Sequence, residues 1–405
     1  MRVDPASGAA GLYVHIPFCA HVCPYCDFAV VIAGEPRREE YVRAVLTEAR
    51  LASERWAHPF DTVYLGGGTP SALAADQLAR LVEGVRGTLP VDERAWLTLE
   101  ANPEDVTAAA VAAWRAIGVR TVSLGVQSTT DAGLARLGRH HAAAEARRAV
   151  RRLLDAGFHT VSVDLIFGWE GQRLESWRGE LECVAALGVQ HVSCYQLTVH
   201  SGTRFGHRQT AGERLTVGED LQAVLFEATH DTLARLGLQA YEVSNFARGP
   251  EHRSRHNAKY WDHTPYLGLG PSAHSFDGRS RWWNRRKLRL WAGELAAGRS
   301  PVDGQETLDD LALAFEAVML GLRTTGGVDL AEVGELVGAD LVALNADRLA
   351  AWRDAGLVAM VGPRVVPTMR GLAVAEGLAR DLELPAVAAG PGDGSAGSSV
   401  QSTGG

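Results

Sequence analysis

Through the first half of the chain, short apolar runs alternate with longer stretches whose apolar residues recur three and four positions apart. The runs Leu12–Ile16, Thr62–Leu65, Trp96–Glu100, Thr121–Gly125, Thr160–Phe167 and His191–Leu197 read as strands. Between them Glu39–Arg55, Ala72–Gly87, Asp105–Ile117, Ala142–Ala156 and Leu174–Leu187 carry the helical period. Several of these stop at glycine, as at Ala156-Gly157 and Leu187-Gly188, a common way for a helix to end. Six strand–helix repeats predict a parallel sheet with helical crossovers, an α/β fold. Periodicity alone leaves open whether the sheet curls into a partial barrel or lies flat.

The pattern changes near residue 237. From 237 to 304 the chain is rich in aromatics, His, Arg and Gly, with Tyr260, Trp261, Tyr266, Trp282 and Trp283 crowded together. From 305 to 384 it turns helical again. Leu308–Leu322, Leu330–Val337 and Ala339–Ala355 are expected helices, residues 356–367 a hairpin around Gly362-Pro363, and Arg370–Leu382 a last helix. Helices followed by a hairpin resemble a winged-helix module. The helix that would read DNA, ADLVALNADRLAAWRDA, is not basic, so a packing or lid role is the better expectation. Residues 385–405 are Gly/Ser/Ala-rich and are expected to form a disordered tail. The expected divisions are therefore 1–236, 237–304, 305–384 and 385–405.

Composition narrows the function classes. Of 405 residues, 46% are hydrophobic and 22% charged, which supplies ample core. No apolar run approaches the ~18 residues of a membrane span, and the N-terminus lacks the basic-then-apolar order of a signal peptide. A net charge of -8 argues against nucleic acid as a partner. Five cysteines fit a cytoplasmic protein rather than a disulfide scaffold. Cys183 and Cys194 lie in core-like segments and read as buried small hydrophobes.

The other three cysteines carry candidate chemistry. Cys19, Cys23 and Cys26 fall within eight residues, on the loop after the first strand. A closed zinc site would need a fourth ligand, for which His15, His21 or a distant cysteine could serve. A [4Fe–4S] cube can be held by three thiolates, leaving one iron without a protein ligand. Each later strand also ends in a polar or glycine-rich element. These are Gly66-Gly67-Gly68-Thr69-Pro70, then Glu100, then Gln127 with Arg139 twelve residues on, then Asp164. Glycine lets a backbone approach a ligand closely, and an acid set among apolar residues is costly unless something pairs with it.

The Cys-x3-Cys-x2-Cys loop resembles the radical S-adenosylmethionine (SAM) superfamily, in which SAM binds the open iron and residues at the strand ends hold the rest of it. This implies a partial (β/α)6 barrel with a C-terminal helical, winged-helix-like domain. Tyr13-x-His15-x-Pro17-x-Cys19, SLGVQS, SVDLIFG, SCYQLT and HNAKYW together resemble the oxygen-independent coproporphyrinogen III oxidase-like family over roughly residues 11–380. The resemblance implies a cluster on Cys19, Cys23 and Cys26. It also implies SAM contacts from Tyr13, Tyr25, Gly67, Gly68, Thr69, Glu100, Gln127, Arg139 and Asp164.

Two branches of that family differ in function. The oxidase of porphyrin biosynthesis decarboxylates coproporphyrinogen III, carries a further cysteine two residues past the third, and has a longer N-terminal stretch. Here Phe28 stands at that position, and eighteen residues precede Cys19. The heme chaperone branch (HemW) is marked by His-Asn-x-x-Tyr-Trp, present as His256-Asn257-Ala258-Lys259-Tyr260-Trp261. That branch binds heme and passes it to an acceptor apoprotein, and a membrane-bound acceptor would bring the chain to a membrane surface. A neutral imidazole is a common heme ligand. His256 is therefore the heme candidate, with His274 second, and Arg253, Arg255, Arg285 and Arg286 are candidates for pairing with the propionates.

Overall fold

The computed structural model describes residues 8–56 and 58–385. The expected tail lies outside the described residues, apart from Pro385.

Six parallel strands form the centre of a 12-stranded sheet: β1 (Ala10–Ile16), β2 (Phe60–Gly67), β3 (Val91–Ala101), β4 (Val119–Gln127), β5 (Thr160–Phe167) and β6 (His191–Gln196). The crossovers are α1 (Glu35–Ser53), α2 (Ala75–Thr88), α3 (Ala108–Ala116), the pair α4 (Asp131–Arg136) and α5 (Ala143–Asp155), and α6 (Leu174–Ala186). Parallel strands need such crossovers because the chain leaves one strand at the opposite end of the sheet from where the next begins.

The two faces of the sheet have different chemistry. Leu12, Val14, Val63, Leu65, Leu97, Leu99, Val122, Leu124, Val161, Val163 and Val192 point outward and are buried against the helices. The alternate positions line the inner face and are mostly polar. Tyr13 is level with Tyr64, Glu100 with Ser123, Ser123 with Ser162, Ser162 with His191, and Asp164 with Ser193. A parallel sheet buried purely for stability is apolar on both faces, so this polar lining marks the inner face as a site.

After β6 come α7 (Arg204–Thr210) and α8 (Glu219–Arg235), and residues 237–304 then extend the sheet at both edges. The short strands β7 (Gln239–Ala240) and β8 (Asn245–Ala247) pair antiparallel beyond β6. Helix α9 (Arg255–Trp261) crosses to the opposite edge. There β9 (Tyr266–Leu269) pairs parallel to β1, followed outward by β10 (His274–Phe276), β11 (Ser280–Asn284) and β12 (Val302–Thr307). Glu48 of α1 anchors this edge, accepting hydrogen bonds from Gly270 N (2.8 Å), Asn284 Nδ2 (2.6 Å) and Trp291 Nε1 (3.1 Å), the last on α10 (Leu288–Ala296).

The C-terminal region has its own core around Leu322, Leu330, Leu341 and Val365. It comprises α11 (Asp310–Gly321), β13 (Val328–Asp329), α12 (Leu330–Val337), α13 (Leu341–Leu344), α14 (Ala346–Asp354), β14 (Val358–Val361), β15 (Arg364–Pro367), α15 (Met369–Ala373) and α16 (Ala375–Asp381). Its three strands pair in the order β13-β15-β14. The single helix expected over 339–355 is broken at Asn345, whose Nδ2 donates to Leu341 O and Glu383 O. The last expected helix is also divided, at Val374.

Candidate functional site

The site lies at the C-terminal ends of the parallel strands, where loops can point reactive groups at one centre. The cysteine loop follows β1, and all three cysteines are free and half-buried. Burial pushes the Cys26 thiol up to about 11 and raises that of Cys19, with the Thr69 hydroxyl opposing the shift at Cys19.

A chain of hydrogen bonds runs from the first cysteine to the second through three other loops. Cys19 Sγ lies 3.4 Å from Thr69 Oγ1, and Asn102 Nδ2 donates to the same Oγ1 at 3.1 Å. Arg139 Nη2 donates to Asn102 Oδ1 at 2.6 Å and to Gly125 O at 3.0 Å, and Arg139 Nη1 donates to Cys23 Sγ at 3.5 Å. The ends of β2, β3 and β4 are thereby tied to the cysteine loop. Arg139 Nε is buried without a partner.

The glycines after β2 make room for the protein's own groups. Gly67 has a φ of +110°, and a Cβ there would lie 2.5 Å from His15 Nδ1. A Cβ on Gly68 would lie 2.9 Å from the carbonyl oxygens of Ile16 and Phe18. Gly68 N and Thr69 N donate to those two carbonyls, which clamps the loop to the root of the cysteine loop. Gly67 N donates to Glu100 Oε2 at 3.0 Å, and Tyr64 donates to Glu100 Oε1 at 2.7 Å.

The two acids on the inner face are both held nearer neutrality than an ordinary carboxyl. Burial pushes Glu100 up to about 7 against its two donors. Burial pushes Asp164 up to about 6, although Ser123 Oγ donates to it at 3.0 Å and Ser193 also bonds it. Gln127 sits at a register shift in β4 with a φ of 67°. A left-handed glutamine costs of order 1–3 kcal/mol, and such strain concentrates at ligand sites.

The other expected residues take different positions. Tyr25 packs with Phe205 and Leu137 beneath the loop, and its hydroxyl is raised by burial and by the nearby Cys23. The Tyr13 hydroxyl is committed to His15 Nδ1 at 3.0 Å, while His15 Nε2 donates to Ala29 O. His15 is thus engaged at both nitrogens, and His21 stacks on His140 at 3.8 Å. Among the described residues no group of three or more His, Cys, Asp or Glu is placed to hold one metal ion. A cube takes one thiolate per iron, so its donors need not converge on a point. Three free thiols on one loop, two of them tied to Thr69 and Arg139, beside an unpaired guanidinium N–H fit that group.

His256 is not at this rim. It is buried near the opposite end of the inner face, with Nδ1 3.0 Å from Thr62 Oγ1 and Nε2 2.9 Å from the Tyr260 hydroxyl. Burial pushes its imidazole down to about 3. As placed, neither nitrogen is free to meet a metal. Of the propionate candidates, Arg253 lies over Tyr241, Arg255 over Trp96, and Arg285 pairs with Asp303 and Glu294. Arg286 donates to the carbonyl of Asp27 in the cysteine loop. Sequence reading gave no role to Asn102, Ser123, Ser193 or Tyr64. The signal available was the period-two spacing of polar residues inside runs read for their apolar ones.

Two family models match: the radical SAM superfamily over residues 13–184 and the HemN C-terminal domain over 308–374. The chain is 36% identical over 376 residues to the heme chaperone HemW of Mycobacterium tuberculosis, covering 92% of this chain and 94% of the relative. This chain belongs to the HemW branch of the HemN-like radical SAM family. The HemW of Escherichia coli is 37% identical over 265 residues, covering 65% of this chain and 69% of that protein. The mouse radical S-adenosyl methionine domain-containing protein 1, mitochondrial, is 35% identical, covering 80% and 75%. Among solved structures, the E. coli coproporphyrinogen III oxidase HemN superposes with a TM-score of 0.80 at 21% identity, covering 92% of this chain and 89% of that one. That likeness shows that this chain shares the fold of that oxidase. No helix among the described residues is long and apolar enough to cross a membrane.

Proposed function

We propose that this protein is a cytoplasmic heme chaperone. It binds heme and transfers it to an acceptor apoprotein, and it carries a [4Fe–4S] cluster on Cys19, Cys23 and Cys26 with an exchangeable SAM. The observation that carries the cluster assignment is the chain Cys19–Thr69–Asn102–Arg139–Cys23. It sets the spacing of two thiols from three separate strand ends. When bound, the cluster supplies a one-electron centre and an open iron for the amino and carboxylate groups of SAM. Around it Gly67, Gly68 and Thr69 shape the wall and Gln127 presents its amide. Glu100 and Asp164 offer acceptors for the sugar and amino groups of SAM, and Arg139 keeps one N–H free. Tyr25 backs the loop, and Tyr13 acts through His15. An acceptor embedded in a membrane would draw the chain to that surface, and the net charge of -8 disfavours nucleic acid as a partner.

Phe28, 64% exposed, occupies the position where the oxidase branch carries its additional cysteine. Anaerobic protein supplied with SAM, a reductant and coproporphyrinogen III tests the choice. The chaperone reading expects about four irons per chain and no carbon dioxide. Release of carbon dioxide with a decarboxylated porphyrin would establish the oxidase instead.

A further inference from the structure

The sheet extension beyond β1 carries a surface that the cluster site does not use. Register fixes its face. Gly11 and Tyr13 are level with Tyr266 and Gly268, Tyr266 with Phe276, and His274 with Trp283, which is level with Gly304. His274, Trp283 and Gly304 therefore share the face that continues from the polar lining of the barrel. Strand direction fixes its height. β9 runs with β1 and β10 runs against it, so His274 lies level with Tyr13, nearer than Phe276 to the end of the sheet from which the cysteine loop emerges. The bond from Arg286 to Asp27 O ties the end of this extension to that loop.

The lower half of the same face is covered. Phe276 and Tyr266 pack against Leu313 and Leu336 of α11 and α12, and Arg281 is committed to Glu306 and Glu316. The upper half is open. His274 is exposed, and neither of its ring nitrogens has a hydrogen-bond partner among the described residues. A Cβ on Gly304 would lie 2.4 Å from the Trp283 ring, so glycine there lets the indole lie across β12. The imidazole and indole are neighbours, with centroids 5.9 Å apart and planes 29° apart.

We propose that heme binds here, its porphyrin on the Trp283 indole over Gly304 and its iron ligated by His274. This rests on the heme chaperone reading and assigns its cargo a place. A flat aromatic surface beside an unengaged imidazole matches an apolar macrocycle with an open axial position. No bond restrains His274, so its ring turns about its own torsions to present a nitrogen to the iron. Exposed Arg286 offers a cation to a propionate. Desolvation by the neighbouring side chains and the Arg281 charge lower the imidazole pKa, favouring the neutral form that binds iron. His256 then acts as a packing residue, as its two internal hydrogen bonds describe.

The test is a heme titration of the full chain followed by Soret absorbance, with electron paramagnetic resonance to identify the axial ligand. His274→Ala and Trp283→Ala are titrated beside the parent. His274 is exposed and unbonded, so its removal leaves the fold intact. The expected result is saturable binding with a histidine ligand in the parent. His274→Ala should lose that ligand signature and weaken binding about tenfold or more, with Trp283→Ala weakening binding while keeping the signature. Unchanged ligation and affinity in both variants would overturn this site while leaving the chaperone reading in place. No saturable binding to the parent would overturn both.

Discussion

Arg139 reaches Cys23 with one guanidinium nitrogen, at 3.5 Å, and Asn102 with the other, at 2.6 Å. One side chain from the loop after β4 therefore positions a cysteine of the loop after β1. If this tie orders the cluster ligands, Arg139→Ala should fold but hold iron poorly. The loss leaves Asn102 and the Gly125 carbonyl without their donor, at about 1–3 kcal/mol. Iron per chain after anaerobic reconstitution checks this. Iron retention equal to the parent would show that the arginine is incidental.

The ligand set makes a sharper demand. Replacing any one of Cys19, Cys23 or Cys26 by Ala should abolish the brown chromophore. Replacing Cys194, buried within β6, or Cys183 of α6 should not. Absorbance of the reconstituted variants near the cluster bands decides it, and a cluster that survives in a Cys19, Cys23 or Cys26 variant would break the assignment.

Gln127 pays for its left-handed backbone with strain. Gln127→Gly should raise thermal stability, by about 1 kcal/mol, and weaken SAM binding measured by calorimetry on cluster-loaded protein. Gain without loss of SAM affinity would remove Gln127 from the SAM site.

His256 predicts a pH dependence of stability. Its folded-state value is depressed to about 3 by burial, so the unfolded chain binds the proton first. The stability it contributes is full above the ordinary histidine value of 6.5 and is lost as pH falls toward 3, at about 1.4 kcal/mol per pH unit. His256→Ala should destabilise the protein by about 2–4 kcal/mol at pH 7 and flatten this acid limb. Denaturant melts between pH 7 and pH 4 measure both effects; an acid limb as steep as the parent's in the variant would contradict the role.

Much of the barrel was legible because each parallel strand is apolar on the face toward the helices. The expected strand Thr160–Phe167 and the expected helix Leu330–Val337 coincide with β5 and α12. The cysteine loop stood out by spacing alone. The edge strands were not legible, since β7, β8 and β10 span only two or three residues and exist through distant partners. Local pattern carries no trace of such pairings. The breaks at Asn345 and Val374 depend on tertiary contacts or a single backbone torsion, so an unbroken helical period hid them. Asn102 escaped notice because an asparagine before proline reads as a turn residue. Its function appears only when Thr69 and Arg139 are brought to either side of it.

Heme transfer between proteins decides whether this chain is a chaperone. Cluster-reconstituted protein loaded with heme is mixed anaerobically with an apo-hemoprotein, the two are separated, and the Soret band of each is read. Heme is expected to leave this chain and appear, ligated, in the acceptor faster than it would from free solution. Heme that stays on this chain, or an acceptor that fills no faster than with free heme, would contradict the chaperone reading.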